Sequence, residues 1–187
     1  MKKLIIIVLG TIMVISLVAV GTIVAIFFAN FNVSEKNGGQ IAGETAQIPN
    51  PFIDCATIED AQKLAGFNMT IPDAMPEGYS RTAIRAVKNK EIEIIYLNGD
   101  SEIRIRKAIG SAIGIAIGIE DISGDYTAYK EEKKIEIGSV KVTMKGDSGK
   151  VNVSTWSEGG YVFSITVNCG GTGLDSSIIR DMVNAVK

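Results

Sequence analysis

The chain has no histidine among its 187 residues and only two cysteines. Without imidazole there is no base for a Ser–His or Cys–His pair, and no Ser-x-x-Lys sequence supplies a lysine in its place. Zinc sites draw on histidine and on closely spaced cysteines, and Cys55 and Cys169 are far apart in the sequence. The sequence therefore predicts no catalytic residue, no cofactor and no metal site.

Charge is absent from the whole stretch between Leu4 and Ala29. As a helix this run is about 39 Å long, enough to cross a hydrocarbon core of about 30 Å. A cleaved signal peptide has a shorter apolar core and small residues before its cleavage site, where this chain has Phe27. We therefore predict an uncleaved signal anchor over residues 1–29, with contact to the membrane through residues 4–29.

The charges outside this run set the orientation and exclude one class of partner. Lys2 and Lys3 favour a cytoplasmic N-terminus, so the rest of the chain is predicted to be extracytoplasmic. All 21 acidic residues but only 17 of the 19 basic ones follow residue 29. This acidic balance argues against a nucleic acid partner, which requires a basic surface.

The remainder divides into a stem and one domain. Residues 30–50 are polar, contain glycine and lack periodicity, which is typical of a flexible stem. Residues 51–187 are long enough for one domain with a single core. A short helix is predicted after Thr57, with Asp60 in a capping arrangement and Gly66 at its end.

Alternating segments predict antiparallel strands joined by hairpins. In the first hairpin a turn at Asn98-Gly99 places Glu93 opposite Arg104 and Ile94 opposite Ile103. Two more strands are predicted around the turn at Gly138-Ser139.

Another hairpin is predicted near the end of the chain. A three-residue loop, Glu158–Gly160, would place Thr155 opposite Phe163 and would put Trp156 on the other face of the sheet. The chain then ends in an amphipathic helix capped by Asp175, with an apolar stripe of Ile178, Ile179, Met182, Val183 and Val186.

These elements define the predicted fold class. It is α+β: an N-terminal transmembrane helix is followed by an antiparallel sheet of about six to eight strands. A short N-terminal helix and a C-terminal amphipathic helix are predicted to pack on one face of that sheet.

The two cysteines lie in the part predicted to be extracytoplasmic. In an oxidising compartment Cys55 and Cys169 could form a disulfide, and the alternative is two free, buried thiols. We predict the disulfide.

Four aromatic residues are candidates for a ligand groove: Tyr79, Tyr126, Tyr129 and Trp156. The alternative is that they cover the sheet or fill its core, as aromatic residues often do. Two polar segments are interpreted as turns. Asp121, Ser123 and Asp125 lack the spacing of a calcium loop, and the sequence around Ser148 lacks the partners of a protease serine. The glycine-rich repeat Ile109–Ile119 is interpreted as an inserted loop, and the alternatives are a β-arm, an oligomer edge or a flap that contacts lipid.

Several segments resemble one bacterial family. They are Pro76–Tyr79, the strand Ile94–Tyr96 before Asn98-Gly99, Lys141–Gly146, and Thr155-Trp156 through Phe163. In order and spacing they are similar to the extracytoplasmic family known as domain of unknown function 4367. The resemblance implies an extracytoplasmic domain behind one membrane span in Gram-positive bacteria, and it implies no reaction and no catalytic residues.

Three hypotheses for function follow. The first is a non-enzymatic extracytoplasmic domain for binding, sensing or protein interaction, whose partner is an unidentified protein or envelope ligand. The second, prompted by the apolar glycine-rich repeat, is a lipid or lipoprotein carrier at the cell envelope. The third is an envelope hydrolase that uses carboxylates.

Overall fold

The computed structural model of this protein describes residues 50–113 and 121–187. They belong to one compact unit, Pro49–Lys187. The predicted membrane helix, nearly all of the predicted stem and residues 114–119 of the repeat lie outside the described residues. Within the part that the structure describes, no helix has the length and apolar character needed to cross a membrane.

Eight strands form a single antiparallel sheet, which confirms the predicted α+β class. Their spatial order is β1-β2-β3-β4-β8-β7-β6-β5. The strands are β1 (Ile53–Asp54), β2 (Ser80–Val87), β3 (Glu91–Asn98), β4 (Ser101–Ile109), β5 (Glu131–Ile137), β6 (Val140–Gly146), β7 (Val153–Glu158) and β8 (Tyr161–Asn168). The helices are α1 (Ile58–Ala65), α2 (Gly110–Ile113) and α3 (Ser176–Ala185).

Helix α1 begins and ends as its sequence predicts. The Thr57 hydroxyl accepts a hydrogen bond from the Asp60 amide at 3.1 Å and donates one to the Asp60 carboxylate at 3.0 Å. Gly66 ends the helix in the left-handed conformation, with φ of 79°. These contacts satisfy backbone groups that a helix end leaves free.

Helix α3 also lies where it was predicted, but its cap differs. Asp175 occupies the N-cap position without a capping hydrogen bond, and its carboxylate pairs instead with Lys150 at 2.9 Å. Ile179, Met182 and Val183 are buried, which confirms the predicted apolar stripe.

The hydrophobic core lies on one face of the sheet. Alternate residues of the central strands, such as Ile92, Ile94, Ile103 and Ile105, are fully buried there. They share one cluster with the apolar sides of α1 and α3, so both helices cover the same face. The opposite face of the sheet carries mainly polar side chains, with a few buried apolar ones such as Val153 and Val162.

The predicted register of the β3–β4 hairpin is wrong by two residues. Glu93 pairs with Arg106 rather than with Arg104, and Ile94 pairs with Ile105. The turn is centred on Gly99-Asp100, where Gly99 supplies a positive φ of 56°, and not on Asn98-Gly99. A shift of two residues leaves each side chain on its predicted face.

The predicted three-residue loop between β7 and β8 is also wrong. Gly159 and Gly160 alone connect the strands, and both have positive φ, 59° and 84°. Trp156 therefore lies opposite Phe163 in the core, where the two rings stack with centroids 5.0 Å apart.

The predicted disulfide is absent, because both cysteines are free thiols. Cys55 follows β1 and Cys169 follows β8, and the sheet order places β2, β3 and β4 between those two strands. Four strand spacings amount to about 19 Å, whereas the two Cα atoms of a disulfide lie within about 7 Å. Closure of the bridge would therefore require rearrangement of the sheet.

Candidate functional site

The face of the sheet opposite the helices carries a continuous row of polar side chains. One residue from each strand contributes, and neighbours in the row are directly paired across adjacent strands. In spatial order they are Asp54, Arg85, Glu93, Arg106, Ser164, Thr155, Thr143 and Lys134. Other segments of the chain cover this polar face on β2–β4, which we call the covered half. The part on β5–β7 is the open half, and β8 lies between the two.

The covered half is organised around Glu93, whose side chain is fully buried. Its Oε1 accepts hydrogen bonds from Arg85, with Nε at 2.8 Å. Its Oε2 accepts one from Arg106 Nε at 2.7 Å, and Arg104 Nε lies 3.4 Å away. A buried carboxylate held by several guanidinium groups fixes three neighbouring strands to one another.

Two segments outside the sheet close over this half. Arg106 Nη1 donates to the Ile122 carbonyl at 2.7 Å. The Phe52 ring lies near the guanidinium groups of Arg85 and Arg106, at 5.3 and 5.7 Å. Ile122 also packs on Ala108 and Val162 in a small apolar cluster. The arginine cluster is thus shielded on both sides.

Some polar side chains where the covered half meets β8 have no hydrogen-bond partner. Among the described residues, three buried polar atoms on the face lack a partner: Arg104 Nε, Ser164 Oγ and Thr166 Oγ1. Arg104 pairs with Thr166 and Arg106 with Ser164 across β4 and β8. The unpartnered atoms are therefore close together and adjoin the open half.

Two carboxyl groups in this half differ in environment. Burial raises the pKa of Glu91, although Arg106 lies 3.5 Å from it and acts in the other direction. The Glu93 oxygens are occupied by arginines. A pair of carboxylates is the feature on which the hydrolase hypothesis depends, and here the pair lies beneath the covering segments.

The segment after Ile122 forms consecutive turns. The Ser123 amide donates to Asp121 Oδ1 at 2.8 Å, the Asp125 amide to Ser123 Oγ at 3.1 Å, and the Thr127 amide to Asp125 Oδ1 at 2.8 Å. These oxygens serve the local backbone, as expected of the predicted turn. Within residues 50–113 and 121–187, no cluster of three or more potential metal ligands occurs.

The second predicted turn, around Ser148, is confirmed. Lys150 donates its amide to the Asp147 carbonyl at 3.0 Å. Ser148 and Gly149 both have positive φ, 55° and 76°.

The open half contains a groove of about 470 Å³ on β5, β6 and β7. No carboxylate lines this groove. Its polar lining consists of lysine and hydroxyl side chains: Lys134, Ser139, Lys141, Thr143, Thr155 and Ser157. Neither Lys134 nor Lys141 forms an ion pair within the described residues. The groove itself therefore presents two ammonium groups and several hydroxyls, and Glu136, directly opposite Lys141 on β5, lies beside it.

The four aromatic residues predicted to line a groove lie in different places. Trp156 contributes to the groove, although its side chain is only 3% exposed and stacks in the core. Tyr126 is 97% exposed on the segment after β4. Tyr129 donates a hydrogen bond to Asp125 at 2.7 Å, and burial with this bond raises the pKa of Tyr129 to about 12.

Tyr79 lies at the edge of the core. Its hydroxyl is 2.9 Å from Cys169 Sγ. Burial and this contact raise the pKa of Tyr79 to about 12. The position is on the helix side, so Tyr79 does not belong to the polar face.

Sequence reasoning missed Lys107, a charged residue in the core. Lys107 is 7% exposed, donates to the Asn68 carbonyl at 2.6 Å and lies 4.3 Å from the ring centroid of Tyr161. Two further rings, of Phe67 and Phe163, are within 5.5 Å. Its place in the alternation after Ile103 and Ile105 was the available signal, because that position faces inward.

In chemical terms, the open groove presents ammonium groups and hydroxyls on rigid strands. Such a set binds oxyanions by charge and by hydrogen bonds. Comparisons of this chain with family models, with curated protein sequences and with solved structures found no match.

Proposed function

We propose that the chain is a non-catalytic, membrane-tethered binding protein whose extracytoplasmic domain binds an anionic ligand of the cell envelope. The observation that carries this proposal is the open half of the polar face. It is lined by Lys141, Lys134 and four hydroxyl side chains, without a carboxylate.

The rest of the domain supports a binding role for this half. The helix side is filled by the core, and the β2–β4 part of the polar face is closed over by Phe52 and Ile122. The described residues leave Thr143, Thr155 and Lys141 accessible on β6 and β7, toward one edge of the sheet. Side chains on paired strands are held in fixed positions, which lowers the entropy lost on binding.

The chemistry of the groove favours binding over catalysis. Lysine and threonine side chains can hold phosphate or carboxylate oxygens. General acid–base catalysis needs in addition a base within hydrogen-bond reach of the substrate. Because the groove has no carboxylate lining, we assign it the task of recognition.

A matched pair of charge reversals tests the proposal. The full chain in detergent is titrated with inorganic polyphosphate, and with neutral dextran as the control ligand. Lys141→Glu places an acid in the groove and should weaken polyphosphate binding about tenfold, since a nearby charge pair is worth about 1–2 kcal/mol. Lys88→Glu makes the same change in net charge at an exposed position outside the groove and should leave binding within about twofold.

The proposal fails if polyphosphate does not bind at all. It also fails if Lys141→Glu and Lys88→Glu weaken binding equally, because binding then reflects net charge rather than the groove. Thermal unfolding of both variants serves as the control for folding.

A further inference from the structure

The outer edge of β5 carries charges of alternating sign on the polar face. Lys130, immediately before β5, and Glu132, Lys134 and Glu136 within it follow one another at every second position and are all exposed. None of them forms an ion pair within the described residues. Strand β5 ends the sheet, so one side of its backbone is unpaired among the described strands.

An alternating pattern has a consequence that a uniformly charged edge does not have. Edge strands of one sign repel each other and block pairing between copies. The order Lys-Glu-Lys-Glu is complementary to itself when reversed, so an antiparallel second copy meets opposite charges. Opposite charges directly across an antiparallel pair are stabilising.

We propose that the outer edge of β5 pairs antiparallel with the same edge of a second copy of this chain, with Lys133 at the two-fold axis. In this register Glu132 of each copy lies opposite Lys134 of the other, and Lys130 lies opposite Glu136. A two-fold axis perpendicular to the sheet keeps like faces on the same side, as an isologous dimer requires.

The backbone agrees with this register. Ile137 and Val140 close the turn at Gly138-Ser139, and a turn of this kind carries a hydrogen bond between its first and fourth residues. The backbone groups of Ile137 and of every second residue before it therefore point toward β6. Those of Glu136, Lys134 and Glu132 point outward, and these are the residues that the proposed register joins.

Two details fit the remaining positions. The two Lys133 side chains meet on the helix side, but each is already paired with its own Glu131 at 3.2 Å, which offsets their repulsion. The Lys130 amide donates to Asp147 at 2.8 Å, so pairing at that end uses only the Lys130 carbonyl. The dimer would place two open grooves side by side on the same face.

A crosslinking experiment in the full chain reads this contact directly. In a non-hydrogen-bonded antiparallel pair the Cα atoms are about 4.5 Å apart, within disulfide range. Lys133→Cys should therefore form a disulfide-linked dimer on mild oxidation, and Lys63→Cys, on the exposed side of α1, should not.

Charge exchange then tests the register. In the Lys133→Cys background, Glu132→Lys alone and Lys134→Glu alone each place like charges opposite one another and should reduce crosslinking about tenfold. A mixture of these two variants restores opposite charges at every pair and should give the mixed dimer at the parental level. Crosslinking no greater than that of Lys63→Cys, or single charge variants that crosslink as well as the parent, would overturn the proposal.

Discussion

At the scale of single residues, Glu93 links three strands of the covered half. Its carboxylate is fully buried and is held by Arg85 and Arg106, with Arg104 close by. Breaking such a pair leaves uncompensated buried charge, which costs more than a surface pair contributes.

We therefore expect Glu93→Gln to lower the free energy of unfolding by about 3–5 kcal/mol. Glu102→Gln removes a carboxylate that pairs with Arg104 at 2.6 Å but is about a third exposed, and should cost less than about 1 kcal/mol. Urea unfolding of both variants measures these two changes in the free energy of unfolding. Equal losses would show that the buried cluster has no special role.

Lys107 is expected to make the stability of the protein depend on pH. Burial lowers the pKa of Lys107 from its usual 10.5. Between the folded and the unfolded pKa the unfolded chain binds more protons, so this group makes the protein more stable as the pH rises through that window.

Lys107→Met removes the titration while keeping a side chain of similar length. Relative to this variant, the natural protein should gain stability between about pH 7 and about pH 10. Urea unfolding at both pH values measures the difference, in which contributions of the tyrosines cancel. A difference that stays constant with pH would refute the buried, charged environment of Lys107.

At the scale of elements, the connection from β8 to α3 depends on a close backbone contact at Gly173. A Cβ atom there would lie 2.2 Å from the Val151 carbonyl oxygen, which is part of the backbone and cannot move aside. This contact adjoins the bridge between Val151 and Leu174 that leads into α3.

Gly173→Ala should therefore destabilise the domain by about 1–3 kcal/mol, as overpacking does. Ser177→Ala, at an exposed position of α3 outside this contact, is the control and should change stability by less than about 0.5 kcal/mol. Thermal unfolding compares the two. If both variants unfold like the natural protein, α3 does not depend on this contact.

The hairpins show what the sequence determines and what it leaves open. Alternation places Ile92, Ile94 and Ile105 on the correct face, because the side-chain period of a strand is two. It does not choose between Arg104 and Arg106 as the partner of Glu93, since both registers pair opposite charges. The choice depends on the turn, in which Gly99 supplies the only positive φ that the turn uses.

The prediction for the β7–β8 hairpin was wrong for a different reason. Its predicted loop rests on the assumption that all apolar residues of both strands face one core. The structure buries Val153 and Val162 on the polar face, where Ile122 packs on Val162. A second, minor apolar cluster formed by a distant segment leaves no periodic signal, so sequence reasoning placed Trp156 on the wrong face.

At the scale of the whole molecule, the sheet divides the described domain into faces with different roles. One face holds the core and both helices, and the other combines the arginine cluster with the open groove. The groove was not predictable from the sequence, because Lys141, Thr143 and Thr155 form one surface only when β6 and β7 pair. The absence of histidine, by contrast, is evident from the sequence alone.

Protection of lysines in the full chain tests the binding role of the groove most directly. The chain is labelled with an amine-reactive reagent with and without inorganic polyphosphate, and each lysine is quantified by mass spectrometry. We expect polyphosphate to protect Lys141 and to leave Lys63 and Lys88 as reactive as before. If Lys141 is labelled equally in both conditions while polyphosphate is bound, the open groove is not the binding site.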